Sequence, residues 1–210
     1  MKLPALPGMI AHRTADEIAL FAGVMQSAGL DAGNVATVIE FESARTWSPS
    51  VRNPGSSAVG LIQFISETAK RLGTSTAALE QMSFAEQLPW VVKYFQGIGV
   101  ARLVRLVDYY AAVFWPAAVG SADDFVIAKL GMPAYDSNKG LDHDGNGQIT
   151  TGDLDVVMAQ VRASAKGTID VIPSHSTGLS PRGAGLALGA LILTALGVAG
   201  ALIIRKVRGG

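Results

Sequence analysis

Cysteine is absent from this 210-residue chain. No disulfide framework and no thiolate metal site is therefore available, and the absence fits any compartment. Net charge is missing as well. The 17 Lys and Arg residues balance 17 Asp and Glu, which leaves a nucleic-acid partner without electrostatic support. His12, His143 and His175 are far apart and show no zinc-ligand spacing. No Ser-His-Asp arrangement and no phosphate-cradling glycine motif stands out. Period-2 alternation of apolar and polar residues is lacking too, so the body is expected to be mainly α. The length suits one compact domain with an appendage.

Helix signals fill that body. Thr14-x-x-Glu17 reads as a capping box opening a helix through about Ala28, with Ile18, Phe21, Val24 and Met25 at core spacing. Asp31 can cap a second helix that turns Val35, Val38, Ile39 and Phe41 inward and carries Glu42 near its last turn. Residues 44–58 are rich in Ser, Pro, Asn and Gly and read as loop. Ser66 is expected to cap a short helix through Leu72, and Thr74 or Ser75 another around Leu79. Ser83-x-x-Glu86 is a further capping box, with Pro89 expected to kink or restart its helix before Trp90. An apolar helix is expected from about Val100 to Phe114, and another from Asp123-Asp124 to Leu130. The domain reading is 1–135 for the main body, 136–166 for a loop and exit helix, 167–182 for a flexible linker and 183–205 for a terminal helix.

Chemistry concentrates in Ile39-Glu40-Phe41-Glu42-Ser43, followed by Gly60-Leu61-Ile62-Gln63-Phe64 and then Thr68-Ala69. An acid at the end of an apolar helix is followed by a Gly-led turn bearing an amide. Phe41, Leu61, Ile62 and Phe64 can surround the Glu42 carboxyl, and desolvation would keep it protonated to higher pH. Glu40 is a poor partner for it, because two residues along a helix rotate a side chain by about 200°. Glu67 and Asp108 are weaker candidates for a second carboxylate. Gln63 can hydrogen-bond an N-acetyl or backbone group, and Ser43 can orient the carboxylate or bind sugar. Tyr109, Tyr110 and Trp115 can stack on sugar faces or belong to the core.

This combination resembles the soluble lytic transglycosylase family, and its phage-type members most closely. The pattern there is a Glu-Ser pair at a helix end, a Gly-Leu-Met-Gln turn and a Thr-Ala helix. The resemblance covers about residues 35–116. Ile62 stands where Met is usual, and the later Ala-Tyr-Asn signature is not recognisable, with Asp108-Tyr109-Tyr110-Ala111 the candidate to take its place. The resemblance implies a lysozyme-like helical domain, with Glu42 as catalytic acid and then base. It also implies peptidoglycan as substrate, cut at the MurNAc–GlcNAc β-1,4 bond with closure of a 1,6-anhydro ring. Ser43, Gly60, Gln63 and Tyr110 are then candidates for substrate binding. A hydrolytic muramidase and a non-catalytic glycan-binding membrane or virion protein remain the alternatives.

A second motif lies downstream. Asp142-x-Asp144-x-Asn146-Gly147-Gln148-Ile149-Thr150-x-x-Asp153 matches the twelve-residue EF-hand loop, with oxygen donors at positions 1, 3, 5, 9 and 12 and Gly at position 6. Gln148 would offer its backbone carbonyl. Asp replaces Glu at position 12, which shortens bidentate reach, and Ser137 to Gly140 makes a poor entering helix. A single half-motif with a structural Ca²⁺ is expected. The alternative is a loop held by its own side-chain-to-backbone bonds.

Met1 to Arg13 does not read as a secretory signal, since Pro4 and Pro7 interrupt its apolar run. Gly183 to Ile204 forms 22 residues without a charge, followed by Arg205, Lys206 and Arg208. As a helix this run is about 33 Å long, enough to cross a hydrocarbon core of about 30 Å. Gly185 and Gly189 form a GxxxG pair suited to a homodimer or to virion assembly through the tail. The expected location is a membrane, of a virion or of the bacterial inner membrane, with the catalytic domain facing peptidoglycan. Removing residues 183–204 is expected to move the protein from the membrane pellet to the supernatant, and a truncated form that still pellets with membranes would refute the anchor.

Overall fold

The protein is described from a computed structural model over residues 1–174. The expected tail helix (183–205) and the second half of the expected linker (175–182) fall outside those residues. Among the described residues the fold is mainly helical, and no helix is long and apolar enough to cross a membrane.

Strand β1 (Lys2–Pro4) and the short helix α1 (Pro7–His12) lead into α2 (Ala15–Ser27) and α3 (Ala32–Glu42). The capping box of α2 forms as its sequence predicts. Thr14 accepts from the Glu17 amide at 3.2 Å, and Glu17 accepts from the Thr14 amide at 3.0 Å. Asp31 caps α3 by accepting from the Asn34 amide at 2.7 Å. Next come α4 (Ser66–Leu72), α5 (Thr76–Glu80), α6 (Phe84–Ile98) and α7 (Leu106–Phe114). Strand β2 (Val126–Lys129), helix α8 (Pro133–Asn138), strand β3 (Gln148–Thr150), helix α9 (Thr151–Ala163) and strand β4 (Thr168–Asp170) complete the order.

Helix α3 is the hub, packed against α1, α2, α7, α9 and β1. Val35, Val38 and Ile39 are fully buried on it, and so are the polar Thr37 and Glu40. A helix buried on all sides must satisfy its polar groups internally. Asn34, Thr37 and Glu40 recur every three residues and form one polar stripe. Arg162 of α9 donates to Asn34 Oδ1 at 2.8 Å and to Thr37 Oγ1 at 3.0 Å. Glu40 accepts from the Gly8 and Met9 amides at the start of α1 (2.8 and 3.2 Å) and from the Trp47 indole at 2.6 Å. Gly8 allows this docking, because a Cβ there would lie 2.1 Å from the Arg45 carbonyl oxygen.

Several expectations are corrected by tertiary context. Two antiparallel two-stranded sheets exist, β1 with β4 and β2 with β3. The residues read as a helix from Asp123 to Leu130 contain β2, whose Ile127 and Ala128 are buried against the core. A short apolar run does not distinguish strand from helix until its pairing partner is present. Thr168 to Asp170, assigned to the linker, pair with the first residues of the chain, and Val171 donates to the Met1 carbonyl at 2.8 Å. Pro89 does not restart the helix, since α6 runs through it. The expected Val100–Phe114 helix is broken into a 3-10 turn at Val100–Arg102 and α7, where Asp108 accepts from the Arg105 amide at 2.7 Å. Ser66 is the first helical residue of α4, after Ile65 as its cap. Helix α9 packs on α7 and α3, with Leu154 and Met158 fully buried.

Candidate functional site

The last turn of α3 holds two carboxylates with opposite surroundings. Glu40 is saturated by the three N–H donors described above. Glu42 is 7% exposed, and its Oε2 is buried without a hydrogen-bond partner. Burial pushes its pKa from 4.5 up to about 8. The acid is therefore protonated at neutral pH, which is the state a proton donor requires.

Two buried tyrosines, Tyr110 and Tyr94, feel the charge of this carboxyl. Tyr110 of α7 is fully buried and packs edge-on to Phe41, with centroids 5.2 Å apart, and stacks on Phe114. Tyr94 of α6 meets Phe64 edge-on at 6.2 Å, and its hydroxyl donates to the Ala112 carbonyl. Both phenols are held above their ordinary pKa, first by burial and then by the Glu42 charge; Arg71 acts on Tyr94 in the opposite sense. The Tyr110 hydroxyl, like Glu42 Oε2, is buried without a partner.

The Gly-led turn is built by close packing. Val59 and Phe64 pair across it, with Val59 N to Phe64 O at 3.1 Å and the reverse bond at 2.8 Å. Gly60 has φ +84°, and a Cβ on it would lie 2.4 Å from Gln87 Oε1. That oxygen accepts from the Leu61 amide at 2.7 Å, while the Gln87 nitrogen donates to the Pro49 and Leu79 carbonyls. Glycine is thus required at position 60 by both conformation and space. Gln63 adopts φ +52°, a left-handed backbone rare outside glycine. Its amide nitrogen donates to the Gly60 carbonyl at 3.0 Å and to the Val51 carbonyl at 3.3 Å.

Four of the residues predicted to bind substrate therefore have structural work. Gly60 and Gln63 shape the turn. Ser43 is fully buried; its hydroxyl donates to the Ile39 carbonyl at 2.6 Å and accepts from the Trp47 amide at 3.0 Å. Tyr110 is fully buried and presents no ring face to solvent. Asp108, a candidate second carboxylate, accepts from the Val104, Arg105 and Gly120 amides. Glu67 is exposed on α4. Sequence reasoning missed Gln87 and Tyr94. Gln87 had a legible signal, an amide in the apolar stripe Phe84, Leu88, Val91. Tyr94 lies three residues after Val91 on that stripe, and nothing in the sequence sets it apart.

The EF-hand-like loop joins α8 to α9. Asp142 accepts from the Gly145, Asn146 and Gly147 amides at 2.9, 3.2 and 2.9 Å and from the Tyr135 hydroxyl at 2.6 Å. The Tyr135 bond, and then those amides, hold the Asp142 carboxyl below its ordinary pKa. Asp144 accepts from the Asn146 amide at 3.0 Å, and Asn146 Oδ1 from the Gln148 amide at 2.8 Å. Asp153 forms a capping box with Thr150 and accepts from the His143 amide at 3.1 Å. These are the self-bonds that would hold the loop without metal. The carboxylates of Asp142, Asp144 and Asp153 nonetheless place oxygens within 4.8 Å of one another. An all-oxygen acidic donor set of that span fits a hard cation such as Ca²⁺. Strand β3 finds its partner in β2 rather than in a second hand.

No protein-family model matches the chain, and no curated protein matches it either.

Two outcomes follow from this geometry. Because the Glu42 pKa is raised on folding, its carboxyl contributes fully below about pH 4.5, and that contribution is lost as pH rises through about 8. Urea titrations of wild type and Glu42→Gln should diverge over this window, the variant gaining up to roughly 3–5 kcal/mol relative to wild type. A pH-independent difference would contradict a desolvated acid. For the loop, calorimetry with Ca²⁺ should show binding that Asp142→Ala removes, and the absence of heat at millimolar Ca²⁺ would exclude the metal.

Proposed function

We propose that this protein is a lytic transglycosylase with a lysozyme-like helical body, acting on the MurNAc–GlcNAc β-1,4 bond of peptidoglycan. The observation that carries this reading is Glu42, a lone, desolvated, unpartnered carboxyl at a helix end. The resemblance of Glu42-Ser43 and Gly60-Leu61-Ile62-Gln63 to that family gives the acid its substrate.

The chemistry needs only one acid. A protonated Glu42 donates its proton to the glycosidic oxygen as the bond from C1 to that oxygen breaks. The resulting carboxylate faces the cationic sugar. It then takes the proton of the muramoyl 6-hydroxyl while O6 bonds to C1. The ring closes, Glu42 regains its proton, and no water is consumed. The Tyr110 hydroxyl has no other partner and is available to the anion midway through the cycle. Two-carboxylate hydrolysis needs a second acid at a set separation. Glu40 and Asp108 are committed to backbone amides, which favours the single-acid route. In this reading the 183–205 segment tethers the enzyme to a virion or bacterial membrane, and Ca²⁺ at Asp142, Asp144, Asn146, Gln148 and Asp153 braces the β2–β3 edge.

Incubation of purified sacculi with the protein should release anhydro-muropeptides, identified by mass spectrometry. Glu42→Gln should lower turnover by at least about a thousandfold. Reducing-end products would instead show a muramidase, and full turnover by Glu42→Gln would end the assignment of this acid.

A further inference from the structure

Asp144-Gly145 and Asn146-Gly147 follow one another in the loop between α8 and α9. An Asp or Asn before glycine is the residue pair most open to succinimide formation. The glycine nitrogen has no Cβ beside it and can reach the side-chain Cγ of the preceding residue, closing a five-membered ring. Asp144, Gly145 and Asn146 are exposed, and Gly147 is half-buried. Neither glycine can be exchanged without strain, because Gly145 has φ +72° and Gly147 φ +83°. The fold therefore carries two labile pairs in succession. The other asparagines are better protected. Asn53 precedes Pro54, which has no N–H, and Asn34 and Asn138 are buried before Val35 and Lys139.

Both glycine nitrogens have the same partner. Gly145 donates to Asp142 Oδ1 and Gly147 to Asp142 Oδ2, each at 2.9 Å. Either nitrogen must lose that proton before it can attack a Cγ. The resulting anion would face the Asp142 carboxylate across the same 2.9 Å, and like charges at that separation repel. The electrophile is restrained as well. Asn146 Nδ2 donates to Asp144 Oδ2 at 2.8 Å, while its Oδ1 accepts from the Gln148 amide at 2.8 Å. The Tyr135 hydroxyl, at 2.6 Å, fixes Asp142 from outside the loop.

We infer that Asp144-Gly145 and Asn146-Gly147 are latent sites of spontaneous covalent modification, and that the Asp142 carboxylate keeps both shut by holding the two attacking nitrogens. At Asn146 the Gly147 nitrogen bonds to Cγ and gives up its proton. The bond from Cγ to Nδ2 breaks, and Nδ2 leaves with a proton as ammonia. At Asp144 the Gly145 nitrogen bonds to Cγ in the same way, and the side-chain oxygen leaves as water. Water then opens either imide at one of its two carbonyls, which yields aspartate or isoaspartate. Isoaspartate adds a methylene to the main chain, and deamidation adds a negative charge to an already acidic loop. The inference is independent of any catalytic role for Glu42.

The full chain is incubated at neutral pH with a chelator, native and in urea, alongside native Asp142→Ala and Asp153→Ala. Peptide mapping by mass spectrometry follows deamidation at Asn146 and isoaspartate at either position. Native wild type should be modified at least about tenfold more slowly than the unfolded chain, and Asp142→Ala should restore about that factor at both pairs. Asp153→Ala frees the His143 amide and the Thr150 cap but spares both glycine bonds, so its rate should stay near wild type. Should Asp142→Ala fail to fold, Asp142→Asn, which keeps one oxygen acceptor and no charge, should speed modification severalfold. Native wild type reacting as fast as the unfolded chain overturns the inference. So does a folded Asp142 variant that reacts no faster than wild type. Equal acceleration by Asp153→Ala would also overturn it, since loop mobility alone would then set the rate.

Discussion

The buried carboxylate of Glu40 is the constraint on which the rest of the molecule depends. It sits in the last turn of the hub helix, fully enclosed, with the Gly8 and Met9 amides and the Trp47 indole as donors. A buried charge without such partners costs several kcal/mol, so the carboxylate fixes whatever supplies them. It therefore draws the start of α1 against α3. It also seats Trp47, which packs edge-on to Phe21 of α2 and against Phe84 of α6. The connection between Glu42 and Trp47 is held in an unusual conformation, with Ala44, Arg45 and Trp47 all at positive φ. Such a backbone persists only where its surroundings over-determine it. Here the anchors are the Glu40 carboxylate, the Glu40 carbonyl bonded to the Arg45 amide at 2.8 Å, and the Ser43 hydroxyl.

Two residues further on, the same helix does the reverse. Glu42 is buried and finds no donor for its inner oxygen. The contrast is one of solvation by the protein. Glu40 has had its water replaced by N–H groups. Glu42 has lost water without replacement, and its carboxyl keeps its proton to about pH 8. One carboxylate organises the fold and the other is left with unused chemical potential. The backbone rotation between positions two apart is what lets one helix do both.

The second half of the chain supports this hub from the far side. Helix α9 reaches α3 through Arg162, with Asn34 and Thr37 as acceptors, and its own start is defined by the Asp142–Asp153 loop. The acidic loop and the helix-end acid are thus linked through α9 and its Arg162 contacts to α3. The β1–β4 pair closes the other end of α9 against the first residues of the chain.

Much of this was legible in the residues themselves. The capping boxes at Thr14 and Ser83 and the Asp31 cap are local devices whose partners lie within a few positions. Side-chain spacing alone determined that Glu40 and Glu42 would diverge. The oxygen pattern of the Asp142 loop was likewise complete in twelve consecutive residues. What only tertiary structure decided were the long-range partners. Whether residues 123–130 would coil or extend depended on β3. Whether Thr168 to Asp170 would drift as a linker depended on β1. Whether Ser43, Gln63 and Tyr110 would meet a ligand or the protein's own backbone and rings depended on neighbours such as Trp47, Val51 and Phe41. Local geometry is written in short-range sterics and hydrogen bonds. Desolvation and pairing are properties of the packed neighbourhood, and they alone made Glu42 an acid with nothing beside it to take its proton.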